Sequence, residues 1–499
     1  MKQTDASRRQ ALKTFASMTA LGAVNYLRSP AGLAATAEAN PEKLISGFSG
    51  RVVDKDDANY EAWRQSMVWH HSKPNRFPDL IVQARDEEDV KRAVKHAAAN
   101  GHRISIHSGG HNSTGCSVRN DGMVLDVGSM GNIEIDEEKK LAVIQPGVRS
   151  IQLMEAARSK GLHFPVPHCP SVGLSGFTTG GGLGWNWGPT GGFSCFSIAA
   201  ADIVTADGQL RHASPTQNQD LYWAVRGAGP GFFGVVTRLW LRLTPIARAI
   251  HASNYIIPLD KLADTAEICD QLVAIKDDRL ELINLLIHNP MAPPGTPPED
   301  AKACFVTAFS FGNTVEESIG MLKPVTDSGL GKLSAVKEEN LPFEFEGLYN
   351  KYFSLSVPAG MMARYKVDNV MTDEPGKVLL NLAEHFRSAP STHAHVLCGY
   401  GVNPELHDDA CFSSIGTTYV GCYAIWDHEE DDDANYDWLG GCMPLMEKWG
   451  KGHYPNEVEP RFNPDRLKNC YSPEAWARLE ELRGRYDPKG VFHHFLREG

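Results

Sequence analysis

The sequence predicts an α+β fold in two domains, and three observations lead there. Short strand-like runs alternate with helical spacings and glycine loops up to about Thr244-Pro245. Past residue 249 the apolar runs lengthen and alternate with fewer helical pieces, the texture of an antiparallel sheet. Finally, 499 residues exceed what one core usually supports, on a scale of about 150 residues per domain.

The elements come in this order along the chain. Pro78-Asp79-Leu80-Ile81-Val82 reads as a short strand. Asp86 to Asn100 (DEEDVKRAVKHAAAN) has helical spacing, acids in its first turn and Gly101 to close it. Strands are next expected over Arg103 to His107, Met123 to Val127 and Lys140 to Ile144, then a helix over Ser150 to Lys160 and a strand over Ala199 to Thr205. In the second domain, strands are expected over Leu280 to His288, Ala303 to Ser310 and Thr417 to Trp426, and helices over Val315 to Leu322 and Pro375 to Arg387. Asn289 to Asp300 (NPMAPPGTPPED) is a proline-rich connector. A helix over Pro473 to Arg485 closes the chain.

Residues 1–37 read as an address. Arg8-Arg9 precedes a modestly apolar stretch, Thr14 to Leu27, and Ala35-Thr36-Ala37 supplies small residues for cleavage, the order of a twin-arginine signal peptide. That route carries folded proteins, so a cofactor can travel inside the fold. The expected destination is the periplasm or the exterior, with the twin-arginine export machinery as a partner and no membrane anchor after cleavage. A net charge of -12 without a basic patch argues against nucleic acid and anionic membranes as partners. The acidic run His428 to Asp433 lacks the spacing of a calcium loop and is expected to be a solvated loop. No metal site is expected: the ten cysteines form no C-x-x-C pair, and His393 and His395 have no ligand at metal spacing.

Two glycine clusters carry the chemistry of the first domain. Ser108-Gly109-Gly110-His111-Asn112 directly follows a strand, and Gly180-Gly181-Gly182 follows Cys169-Pro170-Ser171-Val172-Gly173. Residues without Cβ let backbone N–H groups crowd around an anion, which is how a diphosphate is held without lysine. A literal G-x-G-x-x-G at Gly229, Gly231 and Gly234 follows a helical piece and precedes a strand, the reverse of a Rossmann unit, so it reads as a tight turn.

Together these clusters, with Asp126, Pro146-Gly147, Ala206-Asp207-Gly208, Asn218 to Trp223 (NQDLYW) and Arg226-Gly227, resemble the FAD-binding domain of the vanillyl alcohol oxidase superfamily. Tyr454-Pro455-Asn456, Asn463 to Leu467 and Tyr486-Asp487-Pro488 are similar to the closing segment of berberine bridge enzymes. The resemblance implies an FAD-binding domain over residues 42–248, an antiparallel-sheet substrate domain over 249–452 and a C-terminal segment, 453–499, that completes the first, with FAD between the two domains. It implies FAD bonded through its 8α carbon to His111 and through C6 to Cys169, in a cradle of Ser108, Gly109, Gly110, Asn112, Val172, Gly173, Gly180, Gly181 and Gly182. Valine at 172 is associated in the family with access of dioxygen.

The implied reaction is hydride transfer from a small-molecule substrate to FAD, with O2 reoxidising the flavin and H2O2 as product. Tyr454 is the candidate catalytic base. An alcohol or carbohydrate is the first substrate reading, with Trp185 and Trp187 as aromatic platforms; an alkaloid or phenolic metabolite is the second. A flavin-binding protein without turnover is the rival from another class. Three positions depart from the family: His107 replaces arginine, Phe196 replaces aspartate, and Gly421 falls near the place where plant members carry a carboxylate or amide.

Overall fold

The computed structural model describes residues 45–345, 347–348, 363–402, 407–413 and 416–495. The stretch 1–37, read from sequence as an export signal, lies outside them. The described residues form two compact units.

The flavin unit gathers residues within Ala34–Ile246, Val402–Thr417 and Lys451–Gly499. Its four-stranded sheet runs in the order Arg51–Asp54, Leu80–Gln83, Met123–Asp126, Ile104–His107, the last three mutually parallel. The helix Glu87–Asn100 carries the chain from Leu80–Gln83 across to Ile104–His107, parallel strands on either side of Met123–Asp126. Asp86 caps its start by accepting the Asp89 N–H at 2.9 Å, three acids in its first turn face the positive helix end, and Gly101 closes it at φ 72°. Its apolar stripe, Val90, Ala93, Val94 and Ala97, is fully buried in one cluster with Val82, Leu125 and Ile104. A second sheet, antiparallel throughout, is ordered Ile133–Asp136, Leu141–Ile144, Val235–Arg242, Ile198–Val204, Leu210–Ala213. Helix Gln219–Val225 precedes the glycine turn at Gly229–Gly231 and strand Val235–Arg242 comes after it, so no Rossmann unit forms.

The sheet unit gathers described residues within Ala247–Gly401 and Thr418–Gly450. Its seven strands are all antiparallel, in the order Val336–Phe343, Ala249–Pro258, Lys302–Gly312, Leu280–His288, His395–Tyr400, Thr418–Trp426, Arg364–Thr372. Helices Val315–Thr326, Pro375–Arg387 and Asp432–Glu447 pack on it.

Two expectations are corrected. The acidic run is not simply a solvated loop: it coils at Glu429–Asp431 and starts the helix Asp432–Glu447, where acids complement the helix end. Asp432 there is bound by Arg364 and accepts the Trp426 indole N–H at 2.7 Å. The described residues 402, 407–413 and 416–417, assigned from sequence to the second domain, fold with the flavin unit. Cys411 and Phe412 donate their N–H groups to the carbonyls of Trp223 and Arg226, both at 2.9 Å, and Asp409 pairs with Arg226 at 2.6 Å.

Candidate functional site

The site assembles from three loops and the C-terminal segment. The first loop, Ser108 to Asn112, leaves the strand Ile104–His107 beside Asp126. His107, at the family's arginine position, meets that carboxylate: its Nδ1 lies 2.9 Å from Asp126 Oδ1. Burial pushes the Asp126 carboxyl up, while His107 and hydrogen bonds from Gln83 and Gly128 bring it below the ordinary range. Past the strand, Gly110 turns at φ 67°. Trp69 fixes this turn and the histidine after it: its backbone N–H donates to the Gly110 carbonyl at 3.2 Å and its indole N–H to the His111 carbonyl at 3.0 Å. The indole also stacks on the His111 ring, centroids 4.7 Å apart and planes 13° apart.

The second loop, Cys169 to Gly173, is held by the start of helix Ser150–Arg158. The unsatisfied N–H groups of that helix end donate to loop carbonyls, Ser150 to Val172 at 2.9 Å and Ile151 to Pro170 at 3.0 Å, while the Arg149 guanidinium donates to the Ser171 carbonyl at 2.7 Å. The two loops then meet backbone to backbone, since a Cβ on Gly109 would stand 2.6 Å from the Cα and N of Gly173. Only glycine permits that approach.

This contact brings the two expected attachment residues together. His111 Nε2 lies 2.7 Å from the Ser171 hydroxyl, and Cys169 Sγ lies 3.3 Å from the same oxygen. Burial, with Arg149 second, pulls His111 down to about 3, so its ring is neutral at ordinary pH. Burial pushes the Cys169 thiol up, and hydrogen bonds at Ser171 and the Arg149 charge oppose it. All ten cysteines are free thiols, so none is diverted into a disulfide.

The third loop behaves differently from the expectation. The amides of Gly180, Gly181 and Gly182 donate within the fold, to Gly176 O, Thr178 O and the Tyr454 hydroxyl. Any Cβ there would strike Asn456, Phe412 or Ser194. The triple glycine is therefore a packing device. Among the described residues, in contrast, the amides of Gly109, Gly110 and His111 have no acceptor in the fold. With the Gly109–Gly173 approach, that loop fits a diphosphate-bearing cofactor.

From the C-terminal segment, Tyr454 is 3% exposed and tilts against Phe193 at 5.7 Å. Its hydroxyl oxygen accepts the Gly182 N–H at 3.1 Å and an Asn456 side-chain N–H at 3.0 Å. Burial, then Glu457, pushes its pKa well up, against the pull of neutral N–H donors. Asn456 is a residue whose importance the sequence understated: besides Tyr454 it donates to the Phe177 carbonyl at 3.0 Å, and its own carbonyl accepts from Asn112 at 3.0 Å. Trp69 and Arg149 were missed as well, because neither belongs to a recognisable motif.

Other expectations fall away. Trp185 and Trp187 are 1% and 3% exposed, and His168 abuts Trp185 edge-on at 4.3 Å, so these indoles pack the interior. At the second departure, Phe196 packs against His407 and Phe412, centroids 4.1 and 5.9 Å away. In the sheet unit, Gly421 stands on the strand Thr418–Trp426 opposite Asn369 and Leu397, and the place of its missing side chain is taken by the Tyr419 hydroxyl, itself 3.0 Å from the Tyr423 hydroxyl.

An FAD binding domain is matched over residues 78–214. The chain is 36% identical to (R)-6-hydroxynicotine oxidase of Paenarthrobacter nicotinovorans over 477 residues, 91% of this chain and 97% of that protein. It is 26% identical to the FAD-linked oxidoreductase janO of Penicillium janthinellum over 450 residues, 88% and 96% of the two chains. Its fold superposes on xylooligosaccharide oxidase of Myceliophthora thermophila C1, a complex with xylobiose, with a TM-score of 0.77 at 19% identity, covering 92% and 98%. Fold and matched domain define an FAD-dependent oxidoreductase. The chain belongs to the berberine bridge enzyme-like FAD-linked oxidoreductases of the vanillyl alcohol oxidase family.

Proposed function

We propose that this chain is an oxidase that carries FAD on two covalent bonds, at His111 and Cys169, and oxidises a small ring-bearing amine of alkaloid type. The observation that carries the double attachment is the Ser171 hydroxyl, within hydrogen-bonding reach of both His111 Nε2 and Cys169 Sγ. FAD, when bound, accepts a hydride from the substrate and returns two electrons to dioxygen, giving H2O2. The chain's own residues do the rest. The Gly109 to His111 amides hold the diphosphate, and the two covalent bonds prevent loss of the cofactor and make it a stronger hydride acceptor. Val172 leaves room for dioxygen. Tyr454 in its phenolate form takes the substrate proton as the hydride leaves and becomes the neutral phenol; the two N–H donors that face its oxygen stabilise the phenolate before the transfer.

The substrate class rests on likeness to a nicotine-derivative oxidase at 36% identity, whereas the sugar oxidase shares only the fold, and the two tryptophans that favoured carbohydrate are interior. Two measurements test this reading. Acid precipitation of wild-type protein should retain all flavin on the polypeptide, His111→Ala and Cys169→Ala should each retain it by the remaining bond, and only the double variant should release it. A peroxide assay over cyclic amines, phenols, alcohols and oligosaccharides should respond to the amines first. Complete release of flavin from wild type removes the covalent reading, and turnover confined to sugars removes the substrate class.

A further inference from the structure

A hydroxyl group has one hydrogen and two lone pairs, and this sets what Ser171 can do for its two neighbours. If its hydrogen pointed at His111, Nε2 would be an acceptor and the ring hydrogen would sit on Nδ1, leaving no free lone pair to attack carbon. The Cys169 thiol would then also keep its hydrogen unassisted. Reversed, Nε2–H donates to Ser171, Nδ1 carries the lone pair, and the serine hydrogen is available to a developing thiolate. One orientation thus prepares both nucleophiles and the other prepares neither.

The serine is held for this purpose. The carbonyls on either side of it, Pro170 and Val172, are fixed by the amides of Ile151 and Ser150, and its own carbonyl by Arg149 at 2.7 Å. His111 is held flat against Trp69. We infer that Ser171 is the positioning residue for covalent flavin attachment, accepting the Nε2 hydrogen of His111 and donating its own to the sulfur of Cys169. The inference rests on the covalent reading above. It agrees with a His111 ring that burial and Arg149 keep neutral, and with a thiol that needs help to ionise because burial opposes it.

Bonds and electrons balance in both attachments. At His111, the Nε2–H bond and one C–H bond of the flavin 8α carbon break and Nδ1–C8α forms; at Cys169, S–H and C6–H break and S–C6 forms. Each attachment releases two protons and two electrons, and dioxygen takes them up as H2O2. Ser171 is unchanged afterwards.

The test uses Ser171→Thr, which keeps the hydroxyl, and Ser171→Val, which has the same shape without it. Each is purified with its flavin, held in air from about pH 6 to about pH 9, sampled by acid precipitation and weighed as intact denatured chain. Ser171→Thr should form both bonds at close to the wild-type rate. Ser171→Val should form them slower by a factor of about 10², with the cysteine bond recovering at higher pH as the thiol ionises unaided and the histidine bond not recovering. Equal rates and equal pH profiles for the two variants overturn the inference while leaving double attachment intact. Equal loss in both variants, tracking a fall in melting temperature, assigns Ser171 a packing role and overturns it too. Wild-type protein with no acid-stable flavin fails the covalent reading first and takes this one with it.

Discussion

Each unit of this protein contains a glycine with no space for a side chain, and what fills the space differs. At Gly109 the obstacle is the backbone of Gly173, 2.6 Å from where a Cβ would stand; at Gly421 it is the hydroxyl of Tyr419, at 2.2 Å. Backbone cannot be repacked, so the first contact requires glycine on both loops and leaves paired glycine motifs in the sequence. A phenol can swing or be replaced, so the second leaves a lone glycine in a strand, indistinguishable on paper from a bulge or a lost catalytic side chain. The flavin unit therefore declares its chemistry in loops, while the sheet unit declares only its strand periodicity.

The strongest challenge to that contrast concerns the proton acceptor. Tyr454→Phe keeps the ring against Phe193 and removes the hydroxyl that faces Gly182 and Asn456. It should lower the rate of flavin reduction by roughly 10²–10⁴ in stopped-flow measurements, with covalent loading unchanged. Reduction within a few-fold of wild type would remove Tyr454 from the proton step.

The glycines themselves give a smaller, paired effect. Gly109→Ala must push two backbones apart and should cost about 3 kcal/mol, the upper part of the range for overpacking, together with loss of flavin loading. Gly421→Ala meets a side-chain end and should cost about 1 kcal/mol, with loading intact. Denaturant titration of both variants decides it, and equal costs would erase the distinction between backbone and side-chain obstruction.

Legibility divided along the same line. The helix Glu87–Asn100 was readable because its cap, acidic turn and closing Gly101 are all local signals, and Leu280–His288 because its apolar run has no competitor. Strands Val336–Phe343 and Arg364–Thr372 were not readable: Lys337, Glu338 and Glu339 interrupt one, and Lys366, Asp368 and Asn369 interrupt the other, their places decided by neighbouring strands. His111 and Cys169 were named from motif alone, yet nothing local says that Ser171 joins them, because that contact spans 60 residues of sequence. The triple glycine misled because crowding by Asn456 and Phe412 demands glycine as firmly as a phosphate does.

The smallest expected effect separates the units by acid. Burial holds His163, His168 and His493 of the flavin unit down at about 4, and the same cause holds His395 of the sheet unit there. A histidine in an unfolded chain titrates near ~6.5. With the folded value depressed, the unfolded state takes up protons first, so the stability these rings contribute is complete above that ordinary value and is lost as pH falls through about 4. With His111, which burial holds lower still at about 3, four such rings against one, among the described residues, load the loss onto the flavin unit. Within it His163 meets the Trp185 carbonyl at 3.0 Å and His168 abuts the same indole, so protonation there disturbs a single buried cluster. Hydrogen exchange read segment by segment between about pH 7 and about pH 4.5 should show amides of Leu162 to Trp185 losing protection before those of the strand His395–Tyr400. Simultaneous loss would mean that the two units unfold as one cooperative body under acid, and earlier loss at His395–Tyr400 would mean that the sheet unit is the acid-sensitive one.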